Sequence, residues 1–149
     1  MTSPSSDRVE LAVTADVASV LRFYERVGHG RAVAENDRVL VVRSGGEVVA
    51  AVRLCDESST LVLRGMYLSE KRQRQGLGTR LLALASSEIG SAECWCVPYA
   101  HLVEFYSQIG FSEANKTSTP TFLKERCSTY EKNGARVTIM RRPGSWSVP

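Results

Sequence analysis

The sequence predicts one α/β (α+β) domain built on a mixed, mostly antiparallel sheet. Three apolar segments follow one another over residues 39–68, and Ser44-Gly45-Gly46-Glu47 joins the first two as a strong hairpin signal. A glycine-containing loop, an amphipathic helix and another apolar segment come next, which predicts a right-handed crossover and one parallel strand pair. With 149 residues, 43% of them hydrophobic, the chain suits a single core without a second domain.

Strands are predicted where apolar residues alternate or run on, and helices where they recur at helical spacing. The strands up to residue 100 are predicted at Val9–Val13, Val39–Arg43, Val48–Leu54, Leu61–Leu68 and Cys94–Val97. A first helix is predicted from a cap at Thr14 or Asp16 to about Val27. A second helix is predicted from Leu77 to Glu88, where Gly90 stops it.

The C-terminal part of the chain contains an additional helix. Thr119-Pro120 is a typical start and Asn133-Gly134 a typical stop, which predicts an inserted helix over about residues 120–133. This helix is expected to shape a substrate site, to form a dimer contact or to cover a sheet edge. A last strand is predicted at Val137–Met140. Residues 1–7 are predicted to be disordered and residues 143–149 to be a flexible tail, which leaves a single domain over residues 8–142.

Composition narrows the class of protein. The net charge of +3 is mild and partly local to residues 71–80, which favours a phosphorylated ligand over a nucleic-acid partner. Without an apolar signal segment or a run of transmembrane length, a cytoplasmic protein with no membrane partner is expected, as a monomer or homodimer. No metal site is expected, since C-x-x-C is absent. The cysteines are predicted to be core or incidental thiols, namely Cys55, Cys94, Cys96 and Cys127.

The loop between the strand ending at Leu68 and the helix beginning at Leu77 is predicted to bind an anion. The first turn of a helix offers unpaired N–H groups and the positive end of the peptide dipoles, and glycines let a phosphate approach the main chain. Glycines stand at positions 76 and 78, and full positive charges surround them at Lys71, Arg72, Arg74 and Arg80. The loop therefore suits a diphosphate.

Spacing separates the known phosphate loops. No Gly-Lys pair occurs, which excludes a Walker loop, and Leu81 stands where the dinucleotide fingerprint needs its third glycine. What remains is Q-x-x-G-x-G at Gln73, Gly76 and Gly78, and through it the chain resembles the GCN5-related N-acetyltransferase (GNAT) family. Residues 100–111 resemble the second signature of that family, a helix that carries Phe-Tyr and ends at Gly110. The resemblance covers roughly residues 9–140.

The resemblance implies a fold and a cosubstrate. The fold is a sheet of about six or seven strands with helices on both faces, in which the parallel strands before and after the central helix splay apart. The family grips the pyrophosphate of acetyl-CoA with the glycine loop and pairs its pantetheine arm with strand backbone in the gap. The residues implied to bind acetyl-CoA here are Met66, Tyr67, Leu68, Gln73, Arg74, Gln75, Gly76, Leu77, Gly78, Thr79 and His101.

The resemblance also implies an activity, the transfer of an acetyl group to a primary amine of a small molecule or peptide by direct attack in a ternary complex. Tyr106 is implied as general acid, since a phenol stays protonated at neutral pH, or else it only orients the cofactor. A backbone N–H of residues 66–68 would polarise the thioester. The alternatives are a non-catalytic CoA-binding sensor or interaction module of the same fold, and a nucleotide-binding protein without transfer chemistry.

The general base and the acceptor contacts stay open. Val62 stands where some relatives carry a glutamate. The remaining candidates for the base are a water chain, Tyr67, Glu93, His101 and Glu104. The first helical region borders the acceptor pocket in the family, so the candidate acceptor contacts are Glu25, His29 and Glu35, each of which is otherwise a solvated surface residue.

Overall fold

The computed structural model describes residues 7–11, for which it gives the backbone, and residues 17–28, 33–34 and 36–147. The strands are β1 (Asp7–Leu11), β2 (Arg38–Ser44), β3 (Glu47–Glu57), β4 (Thr60–Leu68), β5 (Cys94–Cys96), β6 (Ser112–Glu113) and β7 (Met140–Arg142). They form one sheet of order β1-β2-β3-β4-β5-β7-β6, and the pair β4/β5 is parallel while the other pairs are antiparallel. The predicted mixed, mostly antiparallel sheet is confirmed.

Helices cover both faces of this sheet, as the resemblance implied. The helices are α1 (Val17–Arg26), α2 (Leu77–Ile89), α3 (Val103–Ser107) and α4 (Thr121–Lys132). Helices α2 and α3 share one apolar cluster with β2–β5, whereas α1 and α4 pack in two clusters that contain other residues of the same strands. Successive residues of β5 face opposite sides of the sheet: Cys94 and Cys96 belong to the cluster with α2, and Trp95 belongs to the cluster with α4. Within the described residues, no helix is long and apolar enough to cross a membrane.

The predicted β2–β3 hairpin is confirmed. Its turn is made by Gly45 and Gly46, whose φ values of 58° and 85° are those that glycine adopts without strain.

Cys55, Cys94 and Cys96 are buried free thiols, in agreement with their prediction as core cysteines, and Cys127 is a half-buried free thiol.

Strand β4 contains a bulge in its middle. Ala51 and Arg53, two residues apart on β3, pair with Tyr67 and Arg64, which are three residues apart on β4. Gly65 lies inside this interval with a φ of 70°. The bulge changes which residues face α2: these are Leu61 and Leu63 before it, and Met66 and Leu68 after it.

Several predicted boundaries are wrong or lie outside the described residues. Strand β1 begins at Asp7, inside the segment predicted to be disordered, and ends at Leu11. The predicted cap at Thr14 or Asp16 and residues 1–6 lie outside the described residues. Thr119 does not cap α4; Pro120 holds the N-cap position, and the hydroxyl of Thr119 donates to the carbonyl of Asn115 at 2.8 Å.

The last strand begins three residues and ends two residues later than predicted. Strand β7 pairs with β5 through residues 140–142, whereas Val137 forms only a single bridge with Tyr99. Pro98 lies between β5 and Tyr99 and has no N–H to donate, so a continuous ladder cannot run from Val137 to Met140.

The chain after β7 makes specific contacts, although it is predicted to be a loose tail. Arg142 is 2% exposed and donates to the carbonyls of Ser86 and Gly90 at the end of α2, where a cation is favoured. The ring of Trp146 covers this guanidinium at 4.5 Å, and a Cβ on Gly110 would come within 2.5 Å of the same ring. Trp146 of the tail thus packs against Arg142 of β7 and against the turn that ends the α3 region.

Replacing Trp146 with alanine is expected to lower the free energy of unfolding by about 1–2 kcal/mol, because the variant loses a cation–π contact with a desolvated guanidinium. Urea denaturation measures this change. Ser147→Ala, at an exposed neighbour, is the control. Equal stabilities for the two variants would show that Trp146 does not pack on Arg142 in solution.

Candidate active site

A cavity opens where β4 and β5 separate. The two strands pair at one position only, Val62 with Trp95, and the predicted splaying of this parallel pair is confirmed. The cavity between them has a volume of about 410 Å³. Its walls are formed by residues 62–67 of β4, by residues 96–99 at and after the end of β5, and by side chains from α3 and α4. Cavities of this size bind small molecules.

Tyr106 lies in this wall on α3. Its side chain is 6% exposed, and its ring meets those of Phe105 and Phe111 edge-on. Burial raises the pKa of Tyr106, and the neighbouring Cys96 and Tyr67 raise it further. The phenol therefore holds its proton throughout the neutral and moderately alkaline range.

The predicted anion loop leads into the open N-terminus of α2. Gly76 is the N-cap residue with a φ of 77°, and no side chain caps the helix. Apart from atoms of Gly76 and its two chain neighbours, no described atom lies within 4 Å of where a Cβ on Gly76 would stand. The exposed residues of the loop and of the first turn of α2 include Gln73, Arg74, Gln75 and Thr79. The backbone N–H groups of this turn are accessible to an anion.

Two residues of the same motif also serve the packing of α2. Leu77 is 1% exposed in the core, so only its main chain is available to a ligand. A Cβ on Gly78 would lie 3.4 Å from the ring of Phe105 and 3.8 Å from Leu68. The second glycine therefore allows α3 to approach α2 closely, a role that the motif alone does not reveal.

The structure divides the other predicted site residues into two groups. Met66 and Tyr67 line the cavity. Leu68 packs against the α2 cluster instead. His101 is exposed outside the cavity wall, with its ring stacked on that of Tyr99 at 5.8 Å.

Of the side chains considered for the general base, only Tyr67 lines the cavity. Glu93 is bound at the surface by Arg141 and Trp95, and these hydrogen bonds lower its pKa. Glu104 is exposed outside the wall, and Val62 is buried in it. Over the described ranges, the cavity wall contains neither a carboxylate nor an imidazole.

Of the three candidate acceptor contacts, one lies outside the cavity wall and two lie outside the described residues. Glu25 is exposed on α1 and does not line the wall. His29 and Glu35 lie outside the described residues. In the part of the chain that the structure covers, no group of His, Cys, Asp and Glu side chains is arranged to hold a metal ion.

A buried network that was not predicted from the sequence supports the bulge of β4. The hydroxyl of Tyr24 on α1 donates to the carbonyl of Gly65 at 2.9 Å. Arg53 lies 5.7 Å from the Tyr24 ring and pairs with Asp37 at 3.0 Å, with both charged side chains at most 6% exposed. Burial raises the pKa of Tyr24 despite the opposing effect of Arg53. A glycine inside one strand and an arginine inside the apolar run of the next were the available signals.

Helix α4 also contributes to the site, through side chains that were not predicted to do so from the sequence. Arg126 and Tyr130 of α4 line the cavity together with Asn133, the C-cap residue, at a spacing that puts them on one side of the helix. Glu57 accepts hydrogen bonds from both Arg126 and Arg64 of the wall. Burial alone would raise the pKa of Glu57, but the two guanidiniums together lower it, so this carboxylate is charged at neutral pH.

Solved structures of acetyltransferases have the same fold. The ribosomal-protein-S18-alanine N-acetyltransferase from Escherichia coli matches with a TM-score of 0.66 and 21% identity over 95% of this chain and 96% of that one. An acyl-CoA N-acyltransferase from Pseudomonas aeruginosa has a TM-score of 0.67 and 16% identity over 91% and 97%. At these identities the likeness concerns the fold.

A larger protein contains the fold as one part. N-acetylglutamate synthase from Neisseria gonorrhoeae, complexed with coenzyme A and N-acetyl-glutamate, matches with a TM-score of 0.62 and 20% identity over 91% of this chain. This chain covers only 34% of the synthase. No curated protein matches the sequence.

A protein-family profile matches this chain and shows its family. The profile described as acetyltransferase (GNAT) domain matches residues 35–113, more than half of the chain. The matched segment includes the bulged strand β4, the glycine loop, α2, β5 and Tyr106. The chain therefore belongs to the GNAT family of acetyltransferases.

Proposed function

We propose that this protein transfers an acetyl group from acetyl-CoA to a primary amine by direct attack in a ternary complex. The observation that carries the proposal is the position of Tyr106, a buried and protonated phenol in the wall of the cavity that the diverging strands open. A general acid at that place serves the step in which sulfur leaves.

The described residues fit acetyl-CoA as cosubstrate. The uncapped N-terminus of α2, with open space at Gly76, suits a pyrophosphate, and the exposed Arg74 and Arg80 add positive charge to it. Strand β4 pairs with β5 only at Val62, so the edge of residues 66–68 that faces away from β3 is left for pairing with an amide-rich arm. The proposed contacts are Met66, Tyr67, Leu68, Gln73, Arg74, Gln75, Gly76, Leu77, Gly78, Thr79 and, at the rim, His101.

The proposed transfer needs one group that takes a proton from the amine and one that gives a proton to the sulfur. Acetyl-CoA supplies the activated acyl group; a C–N bond forms and a C–S bond breaks, so the amine loses a proton and the departing sulfur gains one. Tyr106 donates its hydroxyl proton to that sulfur and recovers one from solvent. A backbone N–H at the bulge polarises the carbonyl oxygen. Tyr67 or a water chain takes the proton of the amine.

A non-catalytic CoA-binding sensor is the second candidate function. The observation that favours it is the absence of a carboxylate or imidazole from the cavity wall, as far as the described residues extend. Such a protein would bind acetyl-CoA through the same loop and strand without turning over an amine.

The experiment combines calorimetric titration of acetyl-CoA with thiol release across polyamine, amino acid, antibiotic and peptide amines. Wild type is expected to bind acetyl-CoA and to release thiol with at least one amine. Gly76→Ala should weaken binding by about 10-fold, because a methyl group would fill the open space at the helix N-terminus. Gly46→Ala is the matched control, since Gly46 also has a positive φ and open space but lies in the β2–β3 turn.

The outcomes separate the two candidates. Binding without turnover of any amine would favour the sensor. Absence of binding by wild type would contradict both functions, and equal losses in the two glycine variants would show that strain, and not the anion site, causes the effect.

A further inference from the structure

We propose that the acceptor is a small amine that also carries a carboxylate, as an amino acid does, and that Arg64 and Arg126 bind this carboxylate. The proposal rests on the transferase function and names its substrate class. It starts from an excess of positive charge in the wall of the cavity.

Two arginines in that wall share one carboxylate. Arg64 donates to Glu57 through Nη1 at 3.1 Å, and Arg126 donates through both terminal nitrogens, at 3.3 Å through Nη1 and at a shorter distance through Nη2. The three side chains are 19–21% exposed. The carboxylate of Glu57 neutralises only one of the two guanidiniums, so the cluster has a net charge of +1. Because this charge is partly desolvated, it attracts a second carboxylate.

The arginines have donors left for a ligand. A guanidinium carries five N–H groups, and the contact with Glu57 engages a single nitrogen of Arg64. Arg126 is held in place from two sides, by Glu57 and by the Phe122 ring at 5.6 Å. A planar, preorganised guanidinium suits a carboxylate better than an ammonium would.

The rest of the described wall offers no acidic side chain to a second positive charge on the acceptor. Its other polar side chains are phenols and one amide, namely Tyr67, Tyr99, Tyr106, Tyr130 and Asn133. A second ammonium on the acceptor would therefore find arginines and no acidic partner there. The volume of about 410 Å³ must also hold the acetyl end of the cosubstrate, which leaves space for a small acceptor.

The charged cluster stands next to the proposed reaction centre. Arg64 directly precedes Gly65 of the bulge, and its partner Glu57 is also bound by Arg126 from α4. Tyr106 belongs to the apolar cluster on the opposite face of the sheet, with α2. An amine anchored by its carboxylate at Arg64 would thus approach the bulge from the α4 side, while Tyr106 serves the departing sulfur from the α2 side.

The test compares each L-amino acid with its own carboxamide, which keeps the amine and removes the negative charge. Binding is measured by calorimetry with CoA present, and kcat/KM by thiol release from acetyl-CoA. Wild type should prefer the best acid over its carboxamide by about 10- to 100-fold, the range for hydrogen bonds to a charged group. Arg126→Gln and Arg64→Gln should each remove about 10-fold or more from the acid and change the carboxamide by less than about threefold.

Two further variants complete the design. Arg126→Lys keeps the charge without the fork and should retain part of the preference. Lys124→Gln removes a charge from an exposed position of the same helix, outside the cavity wall, and should behave as wild type.

The proposal is overturned if wild type binds or acetylates carboxamides, polyamines or peptides better than free amino acids, or if CoA binds but no amino acid does. Equal losses for acid and carboxamide in the arginine variants would also overturn it. These results differ from failure of the transferase function itself, which would appear as loss of acetyl-CoA binding or as absence of turnover with every amine.

Discussion

Replacing Tyr106 with phenylalanine is expected to lower kcat by about 10²- to 10⁴-fold, the usual contribution of a general acid. Phenylalanine keeps the ring, so the edge-on contacts with Phe105 and Phe111 remain and the fold is retained. The affinity for acetyl-CoA should change by less than about threefold, because the lost group acts when sulfur leaves. Thiol release gives kcat, and calorimetry gives the affinity.

The pH profile provides a second readout for the same residue. A general acid must be protonated, so the rate falls as the pH rises through its pKa. Burial raises the pKa of Tyr106 above its ordinary value, so the wild-type rate should show no loss from this group below about pH 10. A variant that retains kcat but binds acetyl-CoA more weakly would contradict the acid role and leave Tyr106 as an orienting residue.

The largest expected effect on stability comes from Asp37→Ala, about 3–5 kcal/mol in the free energy of unfolding. Asp37 and Arg53 form a pair in which both side chains are at most 6% exposed, and removal of one partner leaves the other charge buried without compensation. The Nε atom of Arg53 already has no hydrogen-bond partner among the described residues. Urea denaturation measures the loss.

Glu47→Ala is the matched control for this prediction. Glu47 pairs with Arg26 at 3.4 Å, but the two side chains are 66% and 52% exposed, so the change should cost less than about 1 kcal/mol. Similar losses in the two variants would contradict the assignment of Asp37 and Arg53 as a buried pair that supports the bulge.

Local signals made much of the fold predictable. The Gly45-Gly46 turn, the glycine loop before α2 and the Gly90 stop each depend on a few adjacent residues whose backbone preferences are strong. The alternation in Cys94-Trp95-Cys96 likewise predicted which residues share a face. In these segments the local preference and the tertiary structure agree.

The features that could not be predicted depend on partners distant in sequence. The position of β7 follows from the shortness of β5 and the proline after it, not from the apolar run at 137–140. The network joins Tyr24 of α1, Arg53 of β3 and Asp37 just before β2, and only the folded chain brings them to Gly65. The part of α4 in the cavity wall could not be predicted either, because Arg126 is positioned by Glu57, which lies 69 residues away in the sequence.

Helix α4 uses different residues for packing and for lining the cavity. Leu123 anchors it against Val62 and Trp95, whereas Arg126, Tyr130 and Asn133 line the cavity. Tyr130 and Asn133 belong neither to that anchor nor to the ion pair of Arg126 with Glu57, so under the proposed function their substitution can change the acceptor at little cost in stability. Under that function, a new substrate preference is expected to evolve through the side of α4 that faces the cavity, while the proposed acetyl-CoA contacts stay unaltered.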